Sequence, residues 1–183
     1  NNLGKKVLLI DLDPQANLTQ SLGLTNQQRT IYGALKGEYK LEPISILKGF
    51  DIVPSTLDLS GAEIELSSEA GREFILKELI EEVRSKYDFI IIDSPPSLGL
   101  LTINSFTAAD EIIIPLQAQF LAMQGLAKLV EVVDKIKSRL NKGLKIGGVF
   151  ITQYDSRKVL NRDVNETINE HFKSEVFKTK VRD

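Results

Sequence analysis

Two stretches of this 183-residue chain share one design, KKVLLIDLDP from Lys5 to Pro14 and YDFIIIDSPP from Tyr87 to Pro96. Each carries an unbroken apolar run into an aspartate and then turns at proline. Continuous apolar runs of this kind mark strands buried on both faces, and such strands belong to parallel sheets covered by helices. EIIIPL from Glu111 and LKIGGVFIT from Leu144 are two more. FDIVPS, Phe50 to Ser55, predicts a further strand, and EVFKTKV, Glu175 to Val181, a last one. Between them, Phe74, Ile75, Leu79, Ile80 and Val83 share one helical face, as do Leu126, Leu129, Val130, Val133 and Leu140. Parallel neighbours require a crossover, and the crossover helix covers the sheet. The alternation therefore predicts the α/β class, a doubly wound, mostly parallel sheet flanked by helices. The segment from Thr25 to Lys48, rich in Gln, Gly and charge, reads as irregular.

Composition sets outer limits. With 42% hydrophobic and 26% charged residues, the chain is long enough for one full-sized core, so residues 1–183 are read as a single domain. A net charge of −2 and a pI near 5.6 give no global attraction to nucleic acid or anionic membrane, so any DNA contact must be local. The absence of cysteine excludes disulfides, thiolate zinc sites and iron–sulfur ligation, and it fits a cytoplasmic setting. No apolar run approaches the roughly 20 residues of a membrane helix.

The aspartates carry the chemistry. Residues at i and i+2 of an extended segment face one side, so Asp11 and Asp13 can address one site at the carboxyl end of their strand. Asp93 ends another buried strand, and open parallel sheets bind ligands at that edge. Three carboxylates gathered there repel one another unless a cation sits among them, and magnesium suits such a site. The plainer alternative is that each Asp caps a helix or starts a turn. The Pro95-Pro96 pair blocks helix formation and shapes the loop beside Asp93. His171 has no zinc or catalytic partners in the sequence and reads as structural. The cluster Lys135, Lys137, Arg139, Lys142 and Lys145 ends a long helix, where cations oppose the negative end of its dipole.

GKKVLLIDLDPQANLTQSLGL, YDFIIIDSPPSLGLLTINSFTAADEIIIPLQAQFLAMQGL and GGVFITQYDSRKVLNRDVNETINEHFKSEVFKT together resemble the ParA/Soj partition ATPases, deviant Walker A P-loop NTPases. The resemblance covers nearly the whole chain. It implies an ATP hydrolase that uses ATP and Mg2+, forms a nucleotide-dependent homodimer, binds double-stranded DNA without sequence preference, and is stimulated by a ParB/Spo0J-like protein. Asp13 falls at the position of the carboxylate that orients the attacking water. Asp11 and Asp93 fall near magnesium, reached through water. Gln15 and Asn17 belong to a switch-like loop responsive to the γ-phosphate, and Pro96 to the nucleotide pocket. Arg157 falls at the position of a DNA-contacting arginine, with Lys158 and Arg162 as neighbours that can help. Gln117 and Gln124 are interface or switch candidates, with an ordinary solvated helix start as the plainer alternative, and Gln119 stands where relatives often carry Glu.

Departures from the pattern are equally informative. A Walker A loop needs a glycine-rich cradle and a Lys followed by Ser or Thr. The only Gly-Lys pair in this sequence is Gly4-Lys5, followed by Lys6. The resemblance thus implies a chain without its N-terminal P-loop unit and its C-terminal end, an incomplete P-loop NTPase-like core that by itself hydrolyses ATP poorly or not at all. Val181-Arg182-Asp183 replaces the family's usual Pro-Arg-Asn. From Asp155 to Asp183 seven Lys/Arg face six Asp/Glu, so composition alone marks no basic patch.

Other classes compete. A phosphoacceptor receiver domain also pairs acids after a first strand with an aspartate ending a later one. Here the interval from Asp11 to Asp93 is too long for it, and no lysine follows EIIIPLQAQF where the phosphoryl partner would be expected. A MinD-like ATPase shares the wider fold, and a nucleotide-independent DNA-binding or scaffold protein is a third alternative.

Overall fold

The computed structural model describes residues 4–117, 120–154, 157, 168, 172 and 176–182. They fall into two compact units, Asn1–Ala108 and Ala109–Asp183.

In the first unit, β1 (Val7–Asp11) lies between β3 (Phe50–Val53) and β4 (Phe89–Asp93) and runs parallel to both, while β2 (Ile44–Leu47) pairs antiparallel with β3. The order is β2-β3-β1-β4. The expectation of strands buried on both faces holds for β1, which is central, and not for β4, an edge strand whose Phe89 and Ile91 are exposed. Leu8, Ile10 and Val53 enter one core with Ile31, Leu35, Leu59, Leu76, Ile80 and Leu101, which come from the helical segments between strands. Those segments include α2 (Ile31–Leu35), α3 (Ala62–Glu65), α4 (Ile75–Glu81) and α5 (Leu100–Ala108).

The stretch from Thr25 to Lys48 is more ordered than its composition suggests, since it holds α2 and β2. Ile31, Ala34 and Leu35 are buried in the core. The Tyr39 hydroxyl accepts from the Thr30 amide at 3.0 Å and donates to the Thr30 carbonyl at 3.2 Å, which closes the loop after α2. β2 exists because the turn at Gly49, with φ 73°, folds it back on β3. The predicted helical face of Phe74 to Val83 is shorter than its pattern, with α4 ending at Glu81 and a 3₁₀ turn following at Arg84–Lys86. Buried Asn104 accepts from the Leu76 amide and donates to the Arg72 carbonyl, fixing the start of α4.

In the second unit, β5 (Glu111–Gln117) and β6 (Lys145–Thr152) are parallel, joined by the crossover helix α6 (Phe120–Arg139). Leu126, Val133 and Ile136 are its buried residues. The expected last strand lies in part outside the described residues; Val176 and Arg182 make parallel bridges to Val149 and Tyr154. Mostly parallel strands joined through helices make this the expected α/β class. No helix among the described residues is long and apolar enough to cross a membrane.

Candidate functional site at the carboxyl edge of the first sheet

β1 and β4 end side by side. Asp11 and Asp93 are register partners, and the Leu12 amide donates to the Asp93 carbonyl at 2.8 Å, carrying the pairing one residue past the strands. Parallel register thus brings together two aspartates distant in sequence.

Their surroundings differ. Asp11 is fully buried. Its Oδ2 accepts from the Thr19 amide at 2.8 Å and from Thr19 Oγ1 at 2.6 Å, and its Oδ1 from the Asp13 amide at 3.2 Å. Asp11 therefore caps α1 (Asn17–Ser21) from eight residues upstream, the turn-and-cap role that aspartate so often takes. The expectation of Asp11 as a near-magnesium group meets a carboxylate whose two oxygens are both occupied by protein donors.

Asp13 lies beyond the strand and is half-buried. Its Oδ1 accepts from the Gln15 amide at 2.9 Å, an Asx turn, and its carbonyl accepts from the Ala16 amide and from Ser55 Oγ at 2.8 Å. Among the described residues Oδ2 of Asp13 has no protein donor. Gln15 and Asn17 are exposed, with Asn17 Nδ2 donating to Gln15 Oε1 at 3.3 Å. Ala16 stands between them at φ 53°, ψ 33°, a left-handed conformation uncommon outside glycine and asparagine.

Asp93 is exposed, and among the described residues no protein donor reaches its side chain. Desolvation first, then the negative charges of Asp11 and Asp13, push its carboxyl above the usual range. A cation would relieve that repulsion. No group of three or more His, Cys, Asp or Glu among the described residues could hold a metal by itself. Magnesium needs no such cage, because it is commonly held through one or two carboxylates, waters and substrate phosphates. An open, charge-strained carboxylate at a strand end fits that mode. Pro95 is buried and Pro96 exposed, and Thr102 Oγ1 donates to the Ser97 carbonyl at 2.6 Å, which closes the loop after β4.

Thr19 and Ser55 were not candidates on sequence. The Ser55 amide donates to Thr19 Oγ1 at 2.9 Å, so the two join Asp11 and Asp13 in one network. The available signal was Ser55 two residues past β3, at the same sheet edge.

In the second unit, Arg157 is exposed in a turn after β6. Lys158, Arg162, Gln119 and His171 lie outside the described residues. Gln117 is exposed at the end of β5, and Gln124 lies on α6. Lys180 Nζ sits 4.1 Å from the centroid of the Tyr154 ring.

Residues 1–146 match a family model described as an AAA domain. The chromosome-partitioning ATPase Soj of Treponema pallidum is 43% identical over 96% of this chain and 70% of its own length. A plasmid partition protein from Borrelia burgdorferi is 29% identical with a TM-score of 0.82, covering 96% of this chain and 77% of that one. Cobyrinic acid a,c-diamide synthase from Mycobacterium smegmatis, solved with an ATP analog and magnesium, is 36% identical with a TM-score of 0.88. That likeness covers 94% of this chain and 72% of the synthase.

Proposed function

This chain belongs to the ParA/Soj family of partition ATPases, and from that premise we propose that the carboxyl edge of its first sheet is where ATP is hydrolysed. The receiver, MinD-like and scaffold alternatives yield to that membership. The observation that carries the proposal is the pairing of a loop aspartate with a free oxygen, Asp13, beside an open strand-end carboxylate, Asp93.

Phosphoryl transfer is catalysed mainly by positioning and charge neutralisation. Asp13 holds its own loop through Oδ1 and keeps Oδ2 to orient the attacking water and accept its proton. Gln15 and Asn17 are exposed on the same loop, where their amides can meet the γ-phosphate, and Pro96 borders the pocket. Asp93 would hold magnesium through bound water, with buried Asp11, its register partner, behind it adding negative charge. Magnesium supplies charge neutralisation on the phosphate oxygens.

Within the same reading, residues 1–183 work as one ATPase core in a nucleotide-dependent homodimer, in the cytoplasm and on the nucleoid. Arg157, with Lys158 and Arg162, contacts phosphates of double-stranded DNA, which makes binding independent of sequence and sensitive to salt. A ParB/Spo0J-like protein stimulates hydrolysis. The experiment is calorimetry of Mg–ATP binding beside steady-state hydrolysis, on the full-length protein and its Asp13→Ala variant. Retained binding with hydrolysis lowered about 100-fold or more supports the assignment; undiminished hydrolysis refutes it.

A further inference from the structure

The loop from Leu12 to Leu18 carries Asp13, and its backbone amides make two short-range bonds within it, from the Gln15 amide to Asp13 Oδ1 and from the Ala16 amide to the Asp13 carbonyl. Its helix, α1, has five residues, too few to be stable alone. The residue before that helix, Ala16, offers no side-chain cap and adopts a left-handed conformation. Such a conformation costs on the order of 1–3 kcal/mol and persists only where the surroundings over-determine it.

Two hydroxyl side chains supply that determination. Thr19, 3% exposed, donates its hydroxyl proton to Asp11 Oδ2 at 2.6 Å and accepts the Ser55 amide at 2.9 Å. Ser55, 2% exposed, donates its hydroxyl to the Asp13 carbonyl at 2.8 Å. The hydrogen bonds thus run in a closed path through the ends of β1 and β3, the start of α1 and the peptide of Asp13. Asp11 anchors the path with a carboxylate, and charge-assisted bonds of this length are the strong ones.

We propose that Thr19 and Ser55 are positioning residues for hydrolysis, a buried hydroxyl latch that holds the Asp13 loop against the ends of β1 and β3. The proposal rests on the reading of Asp13 as the water-orienting carboxylate. Its physical content is specific. Thr19→Val keeps the branched shape and the amide bond to Asp11 but removes the hydroxyl donor to Asp11 and strands the buried Ser55 amide. Thr19→Ser keeps both bonds. Ser55→Ala retains the amide bond to Thr19 and loses only the bond to the Asp13 carbonyl.

The test is steady-state Mg–ATP hydrolysis by the full-length protein and these variants, with Asp13→Ala in parallel. Thr19→Val is expected to lower kcat about 10- to 100-fold, because small misplacements of a catalytic group have costs of that order. KM should stay within about threefold, as befits an interaction lost in the transition state rather than in substrate binding. Thr19→Ser should recover most of the rate, and Ser55→Ala should show a smaller fall in kcat. A wild-type kcat in Thr19→Val, alongside an inactive Asp13→Ala, overturns the latch and leaves the role of Asp13 standing. Undiminished hydrolysis by Asp13→Ala overturns that role itself. If Thr19→Val does not fold, Ser55→Ala decides, and an unchanged kcat there overturns the proposal.

Discussion

The ends of β1 and β4 are alike in sequence and opposite in circumstance. Both strands deliver an aspartate to the same sheet edge, in register, with proline close behind. At the end of β1 the carboxylate is buried and accepts three protein hydrogen bonds. At the end of β4 it is exposed, takes no protein donor among the described residues, and has its carboxyl pushed up by partial desolvation and by the charges of Asp11 and Asp13. One aspartate therefore builds the edge, and the other is left for a ligand.

The largest expected effect comes from breaking the built end. Asp11→Ala leaves the Thr19 hydroxyl and amide and the Asp13 amide without their acceptor. Stranding buried donors should cost about 3 kcal/mol, read as a lower urea midpoint by circular dichroism. A change under about 0.5 kcal/mol, within the range of an ordinary surface substitution, would erase the contrast between the two strands.

A middle-sized effect lies at the amino end of β4. The Tyr87 hydroxyl donates to Asp51 at 2.8 Å, and burial followed by this bond pushes its phenol up to about 12. Its folded value is raised, so its contribution is fully present below the unfolded value near 10 and is lost as pH climbs through about 12. Tyr87→Phe should cost about 1 kcal/mol at neutral pH. It should also remove the latest component of an absorbance titration of the four tyrosines. Survival of that component would assign it to another tyrosine.

The smallest effect separates the two aspartates most sharply. The folded value of Asp93 is raised, so wild-type stability falls as pH rises through the carboxylate range. Asp93→Asn removes that slope and, without magnesium, should raise stability at neutral pH. Solvent screening keeps the gain below about 1 kcal/mol. A loss of stability would mean that Asp93 is held by the protein as Asp11 is.

Much of this was legible in the sequence, and for a physical reason. Runs rich in apolar and β-branched residues made β1, β3, β4, β5 and β6 legible, although β4 and β5 leave alternate residues exposed. β2 did not, because an edge strand paired through a tight turn, with half-buried and exposed residues alternating, needs little hydrophobic signal. The site was legible in part. Strand-end aspartates mark the ligand edge, but whether a carboxylate is free depends on residues far along the chain. Thr19 and Ser55 are ordinary in sequence and become informative only when β1 and β3 bring them within 2.9 Å.

The most direct test of the contrast is a magnesium titration of ATP hydrolysis by the full-length protein, comparing Asp93→Asn with Asp11→Asn. The account predicts that Asp93→Asn raises the magnesium concentration for half-maximal rate about tenfold, the scale on which loss of a partner near a metal weakens its binding. Asp11→Asn should lower the maximal rate and move that midpoint less than Asp93→Asn does. A midpoint shifted by Asp11→Asn and unmoved by Asp93→Asn would contradict the division of labour between the two strand ends.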